Sequence, residues 1–467
     1  MKAKGNEEQM ISDIQLQIGQ MIRLPIRKMG INGEGVGYYR KQVVFVSGGI
    51  PGEYLLVKVT RVEKRHASAQ IVKRLKSSSH RETPPCPVYL ECGGCQTQHI
   101  QYAMQLRLKR ELVDEAFSRY TDVDSLPLEE TRGMERPWDY RNKAQLPLKE
   151  EKGRVKMGMY GAGSHRLVDL SGCLVQHPAI NQTLEQVRKL LQETGIPIYD
   201  ERTHRGSLRH VMARRAFATR EIQVALISRT PTLPREKELI EGIRRLPDVA
   251  SLVLNHNPRR TSLVMGEKTR LLWGKEKIEE RLRSRIYALS APSFFQLNPA
   301  QTEKLYDEVR RAAALTGAET VVDAYCGAGT IGLWLADAAA RVIGMDTVPE
   351  AVADARYNAR LNGIKHAEYH VGKAEELLPR WAEEGLKPDV VVVDPPRTGM
   401  DEGLLRYLTK KPVKRLVYVS CNPSTLAKDC NRLTRSGYRV ERIVPFDLFP
   451  QTAHVETCTL LVHDSRN

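Results

Sequence analysis

The first part of the chain alternates apolar and polar positions over short distances. From Ile14 to about Lys76, runs such as VVFVSGG, EYLLVKVTRV and SAQIVKRL are cut by glycine-rich turns such as GINGEGVG. That pattern predicts about five short strands, and five strands in some sixty residues suggest a small barrel. SSSHRETPPCP then reads as a linker. Between Ile100 and Tyr120 the period lengthens to that of a helix, with Leu108, Leu112, Ala116 and Tyr120 on one face. This helix is expected to pack on the carboxyl-terminal domain. Residues 126–290 mix β-like runs (EIQVALISR, SLVLNHN) with one helix near 181–194.

From about residue 291 the texture changes. TVVDAYCG, ARVIGMD, PDVVVVDPP and RLVYVSCN are near-continuous apolar strands separated by helical stretches. Strands this apolar belong in a parallel sheet covered on both faces. The expected fold class is therefore α/β. A doubly wound, Rossmann-like domain over 291–467 follows a small OB-like barrel (14–76) and a mixed central domain (77–290), with residues 1–13 as a disordered tail.

Composition narrows the function. The chain of 467 residues is 41% hydrophobic and 27% charged, as in soluble globular proteins, and carries no apolar run long enough for a bilayer. The start, MKAKGNEEQM, has no apolar segment to act as a secretion signal. A cytoplasmic location is expected, where the eight cysteines stay reduced and available as ligands or reactants. The net charge is +16, and residues 17–76 hold twelve Lys and Arg against Glu34, Glu53 and Glu63. So few acids among so many bases point to a polyanion, and basic residues on short strands suit nucleic acid better than a membrane surface.

Three stretches carry chemistry. VVDAYCGAGTIGLWLA is a strand, a turn at Gly327 and Gly329, and a helix start. In VIGMD, Asp346 stands at the tip of the next strand, where an acid accepts the hydroxyls of a ribose. The turn lacks both the full dinucleotide fingerprint and a phosphate-loop lysine. A nucleoside without pyrophosphate is implied, of which S-adenosylmethionine is the common case. VVVVDPPRTG places Asp394 at a strand end, before a loop stiffened by two prolines. LVYVSCNP ends a strand at Cys421, which as residue pattern alone is a core thiol, a metal ligand or a nucleophile. Separately, Cys86, Cys92 and Cys95 fall within ten residues, with Cys173 as a fourth candidate. A metal site is expected there, zinc or iron–sulfur.

In order, SFFQLNP, DAYCGAGTIGL, DPPRTG, VSCNPSTLAKD and FPQTAHVE resemble the RNA (uracil-C5)-methyltransferase family, and the basic segment resembles its TRAM domain. With the cysteine cluster, the pattern is similar to the branch acting on 23S ribosomal RNA. The resemblance implies that Gln296, Tyr325, Asp346 and Asp394 contact S-adenosylmethionine, with Asp346 where the family usually has Glu. It implies Cys421 as the nucleophile adding to carbon 6 of a flipped-out uridine, and Glu456 as the base beside carbon 5. It also implies a structural [4Fe-4S] cluster on the four cysteines; their spacing of five then two argues against a radical enzyme. A monomer is expected. The alternatives are the same chemistry on transfer RNA, cytosine-C5 methylation (disfavoured because Ser420, not Pro or Thr, precedes the cysteine), and a non-catalytic ribosome-assembly factor. Cys326, Cys430 and Cys458 are expected to be buried, and His99 and His177 to pack or support rather than ligate.

Overall fold

The computed structural model describes residues 16–123, 125–261 and 263–464; the expected tail lies outside them. β1 (Met21–Met29), β2 (Gly35–Tyr39), β3 (Gln42–Val46), β4 (Tyr54–Val62) and β5 (His66–Lys76) close into a barrel in the order β1-β2-β3-β5-β4. The alternation explains the closure. Ile22, Leu24 and Ile26 of β1 and Leu55, Val57 and Val59 of β4 fill the interior, while Arg23, Lys58 and Arg61 alternate outward. Of the three acids in this segment, Glu53 is taken by Arg81 of the linker at 2.7 Å and Glu63 by Arg61 at 2.6 Å. The outward bases therefore keep most of their excess.

Helix α1 (Tyr102–Tyr120) follows the linker and leaves the region that precedes it in sequence. Its Val113, Ala116 and Phe117 join one core with the strands of the carboxyl-terminal sheet. Leu108 instead joins Met29, Ile50, Ile100 and Ala453, a small core where the barrel meets the carboxyl-terminal domain.

The central sheet holds β6 (Lys143–Glu151), β7 (Arg154–Tyr160), β8 (Leu167–Asp169), β9 (Leu208–Arg215), β10 (Ile222–Ser228), β11 (Val249–His256) and β12 (Lys268–Gly274). Their order is β12-β11-β10-β9-β6-β7-β8. Helix α2 (Pro178–Thr194) covers one face with Ile180, Leu184, Val187 and Leu191. A short second helix, α3 (Glu236–Ile243), joins it there, although only one helix was legible in this region.

β13 (Ile278–Leu282) and β14 (Arg285–Leu289) form a hairpin whose Ile278, Leu282, Tyr287 and Leu289 pack into the carboxyl-terminal core. Structurally this hairpin joins the domain expected to start at 291. An antiparallel hairpin carries the same alternation in either neighbour, so the pattern could not assign it.

The remaining elements are α4 (Pro299–Ala313), β15 (Thr320–Ala324), α5 (Thr330–Leu335), β16 (Arg341–Asp346), α6 (Pro349–Leu361), β17 (Ala367–Val371), α7 (Ala374–Glu383) and β18 (Val390–Val393). They continue with α8 (Glu402–Lys410), β19 (Arg415–Ser420), α9 (Pro423–Thr434), β20 (Tyr438–Phe446) and β21 (Glu456–His463). The sheet order is β17-β16-β15-β18-β19-β21-β20, parallel except at β21. Order reverses between β15 and β18, so the crevice at their carboxyl ends is where a doubly wound sheet binds its ligand. No helix among the described residues is long and apolar enough to cross a membrane.

Candidate active site

The crevice is built from strand ends. β15 runs into Tyr325, whose φ of 65° is uncommon for a residue with a side chain, and then into Gly327 at φ 53° and Gly329 at φ 79°. A Cβ on Gly329 would come within 2.9 Å of the Tyr369 hydroxyl, so only glycine fits. Asp346, at the tip of β16, accepts the Gly327 N–H at 3.0 Å and the Val348 N–H at 2.9 Å, which fixes its carboxylate against the turn. Tyr325 is held by the Asp401 N–H, which donates to its hydroxyl at 3.2 Å. Gln296 is buried; its backbone carbonyl accepts the Asn142 side chain at 3.0 Å, tying the loop to the central sheet.

Asp394 ends the all-Val strand β18. Burial pushes its carboxyl up to about 7. Asp323 on β15, which the sequence did not single out, is buried and raised to about 7 by burial, with Asp394 and Asp346 adding to the shift. One of its oxygens accepts the Gly332 N–H at 2.8 Å, and the other has no hydrogen-bond partner among the described residues. An acid inside TVVDA was the available signal. Three carboxylates thus meet at the crevice, a setting that favours a cationic ligand.

Cys421 lies between the end of β19 and the cap of α9. Asn422 caps that helix by accepting the Ser424 N–H at 3.1 Å, and Pro423 starts it. The Asn422 side chain also donates to the Arg397 carbonyl at 2.9 Å, joining the cysteine turn to the loop after Asp394. Cys421 is half-buried, whereas Cys326, Cys430 and Cys458 are buried in cores. Across the sheet, Ser420 pairs with Thr457 in antiparallel register, so Glu456 stands beside Cys421. Burial pushes the thiol up to about 11, Glu456 and Asp394 add to this, and Arg397 opposes it. Glu456 is raised well above the usual carboxylate range by burial and then by Asp394, again against Arg397. Arg397 is the cation both groups feel; it sits in the DPPRTG motif, but its charge was not used in reading that motif.

Cys86, Cys92, Cys95 and Cys173 line one pocket, walled by Val88, Met159, Leu170 and Val175. Burial pushes Cys95 up to about 12, with Cys173, Cys92 and Cys86 adding to it. Among the described residues, no three His, Cys, Asp or Glu side chains are grouped closely enough to hold one metal ion. A single zinc would draw four sulfurs to about 3.8 Å from one another, given Zn–S bonds of about 2.3 Å. An iron–sulfur cube takes one thiolate at each of four irons and holds them farther apart. His99 is buried and hydrogen-bonded to Tyr89 at 2.6 Å, and His177 caps α2 by accepting the Ala179 N–H at 3.1 Å.

A cleft of about 350 Å³ opens between the barrel and α1. Lys28, Arg65, Arg119, Tyr38, Phe45 and Tyr120 line it with Glu115, which pairs with Lys28 and Arg119, and so do Pro423 and Ser424, two and three residues beyond Cys421.

Residues 260–464 match the family model described as tRNA (Uracil-5-)-methyltransferase, and residues 15–72 match the TRAM domain. A protein of Halalkalibacterium halodurans named as an uncharacterized RNA methyltransferase is 55% identical over 97% of this chain and 98% of its own. One of Listeria monocytogenes with the same kind of name is 49% identical over 95% of this chain and 97% of its own. Among solved structures, a Pyrococcus abyssi tRNA (uracil-54, C5)-methyltransferase in complex with S-adenosyl-L-homocysteine superposes with a TM-score of 0.74. It is 29% identical and covers 94% of this chain and 99% of that one.

Proposed function

Since this chain belongs to the RNA (uracil-5)-methyltransferase family and carries its TRAM domain, we propose that it transfers a methyl group from S-adenosylmethionine to carbon 5 of a uridine in 23S ribosomal RNA. The observation that supports this chemistry most is the register that pairs Ser420 with Thr457 and so sets Glu456 beside Cys421, with Asp394 acting on both.

S-adenosylmethionine supplies an electrophilic methyl on a positively charged sulfur. Asp346 is placed for the ribose, with Gln296, Tyr325, Gly327 and Asp394 around the rest of the cofactor. The carboxylates of Asp323, Asp346 and Asp394 suit the sulfonium charge. Carbon 5 of uracil is a weak nucleophile until something adds at carbon 6. Cys421 adds there as the thiolate, leaving an enolate whose carbon 5 takes the methyl group. Glu456 then removes the proton from carbon 5, and the thiolate leaves as the double bond re-forms. Without that base the protein remains joined to methylated RNA.

The target must leave its stack to reach a half-buried thiol. The basic and aromatic cleft running from the barrel to Pro423 is suited to the flanking single strand, by stacking and phosphate attraction. Ribosomal RNA is named from the likeness of the four-cysteine pattern to the 23S branch; the barrel does not separate the two targets, since the likeness to the Pyrococcus enzyme covers 94% of this chain. Transfer RNA is the second reading, favoured by the likeness to the Pyrococcus enzyme. Mapping 5-methyluridine by mass spectrometry in a deletion strain separates them. A missing mark in 23S RNA supports the first reading, and one missing only from transfer RNA overturns it.

We also assign a [4Fe-4S] cluster to Cys86, Cys92, Cys95 and Cys173, with a structural role between the linker and the central domain. Anaerobically purified protein should contain iron, and Cys92→Ser should lose it. Zinc without iron would overturn the assignment.

A further inference from the structure

The segment between β20 and β21 leads directly into Glu456, and its residues are held from three directions. Asp447 accepts Lys109 of α1 at 2.5 Å, with both side chains fully buried, and the same ammonium donates to the Phe449 carbonyl at 3.2 Å. The Leu448 carbonyl accepts Asn298, two residues past Gln296, at 3.1 Å, and the Pro450 carbonyl accepts the Tyr140 hydroxyl at 2.9 Å. Gln451 is the point of convergence. Its carbonyl accepts the N–H groups of Gln96 at 3.0 Å and Thr97 at 3.1 Å, the two residues after Cys95. Its side-chain oxygen accepts Gln105 at 3.0 Å, and its N–H donates back to the Gln105 side chain at 3.2 Å. Gln105 also accepts the Thr97 hydroxyl at 3.0 Å. Gln451 adopts φ 71°, which a non-glycine residue holds only when its surroundings fix it. Gln105 and Gln451 are both buried.

We propose that Gln105 and Gln451 form a positioning clasp through which the segment after Cys95 fixes the loop that aims Glu456 at carbon 5. The proposal rests on the assignment of Glu456 as the base. It makes a second role for the four-cysteine region: order at Cys95 becomes order at Gln451, five residues before Glu456. A loosened clasp leaves Asp346 and the turn at Gly327 in place, because they lie on other strands, and the bond from Asn298 to Leu448 that anchors the loop near Gln296 is not one of the bonds removed. It misplaces the base alone. Displacement of about 1 Å in a reacting group costs on the order of 100-fold in rate.

The test uses the full chain with Gln105→Met, which keeps volume and removes the hydrogen bonds, and Thr97→Val as a milder change. Gln105→Met should lower kcat on the order of 100-fold, with unchanged S-adenosylmethionine affinity and unchanged KM for RNA. It should also accumulate the methylated protein–RNA adduct on a denaturing gel, as Glu456→Gln does. Hydrogen exchange should quicken across residues 447–456 in Gln105→Met, in Thr97→Val to a lesser degree, and in Cys92→Ser, which alters the pocket shared with Cys95 without substituting a clasp residue. Normal turnover by Gln105→Met, or a loss of rate without adduct, would overturn the clasp. Should Glu456→Gln itself form no adduct, the base assignment falls. Exchange then decides the clasp alone, and unchanged exchange across 447–456 in all three variants rejects it.

Discussion

At the scale of single residues, burial disfavours the charged forms of Cys421 and Glu456. Burial, with Glu456 and Asp394 adding to it and Arg397 opposing, raises the Cys421 thiol to about 11, and burial followed by Asp394 raises the Glu456 carboxyl above the usual carboxylate range. Both raised values have one sign: the charged form is disfavoured until a positive charge arrives. Alkylation of Cys421 by iodoacetamide should therefore rise with pH to a midpoint near 11 in the free protein. Asp394→Asn removes a negative neighbour and should lower the midpoint, whereas Arg397→Met should raise it. S-adenosylmethionine should lower it, and S-adenosylhomocysteine, which lacks the sulfonium charge, should lower it less. Equal midpoints with the two ligands would show that the sulfonium charge does not reach the thiol.

At the scale of elements, what was legible in the sequence was what repeats or punctuates. The barrel strands show period two, the catalytic strands are apolar throughout, and Cys421 could be placed at a strand end because Asn422 and Pro423 stop the run. Helix α1 was legible as a helix, and Leu108 and Ala116 of its expected face are buried, but the buried face is wider than that stripe. Gln105 and Lys109 are buried along with Leu108, Val113 and Phe117, while Tyr120 of the expected face is only partly covered. Hydropathy reads a lysine as solvated. What compensates it, Asp447, is 338 residues away in the chain and invisible to any local pattern. The pair gives a direct prediction. Lys109→Met leaves the Asp447 charge buried and alone, and should destabilise the protein by about 3–5 kcal/mol in chemical denaturation. Adding Asp447→Asn removes the lone charge and should recover part of the loss. A Lys109→Met protein as stable as the wild type would mean that Asp447 is neutral in the fold.

At the scale of the whole molecule, the barrel, α1 and the segment before β21 share one small core at Met29, Leu108 and Ala453, so the barrel is fixed on the domain that carries Cys421. Phosphate contacts release counterions, so RNA affinity should fall steeply with salt. Deleting residues 1–76 should weaken RNA binding and flatten that slope, with S-adenosylmethionine binding nearly unchanged. Identical slopes would show that the barrel does not touch the phosphate backbone. The central claim is that one cysteine and one glutamate divide the chemistry between carbon 6 and carbon 5. It is tested most directly with RNA carrying 5-fluorouridine at the target position, because fluorine cannot leave as a cation and the reaction stops at the covalent stage. The wild type with S-adenosylmethionine should form an adduct stable to denaturation, and peptide mass spectrometry should place a methylated nucleotide on Cys421. Cys421→Ala should form none. An adduct on another residue, or one formed by Cys421→Ala, would contradict the account.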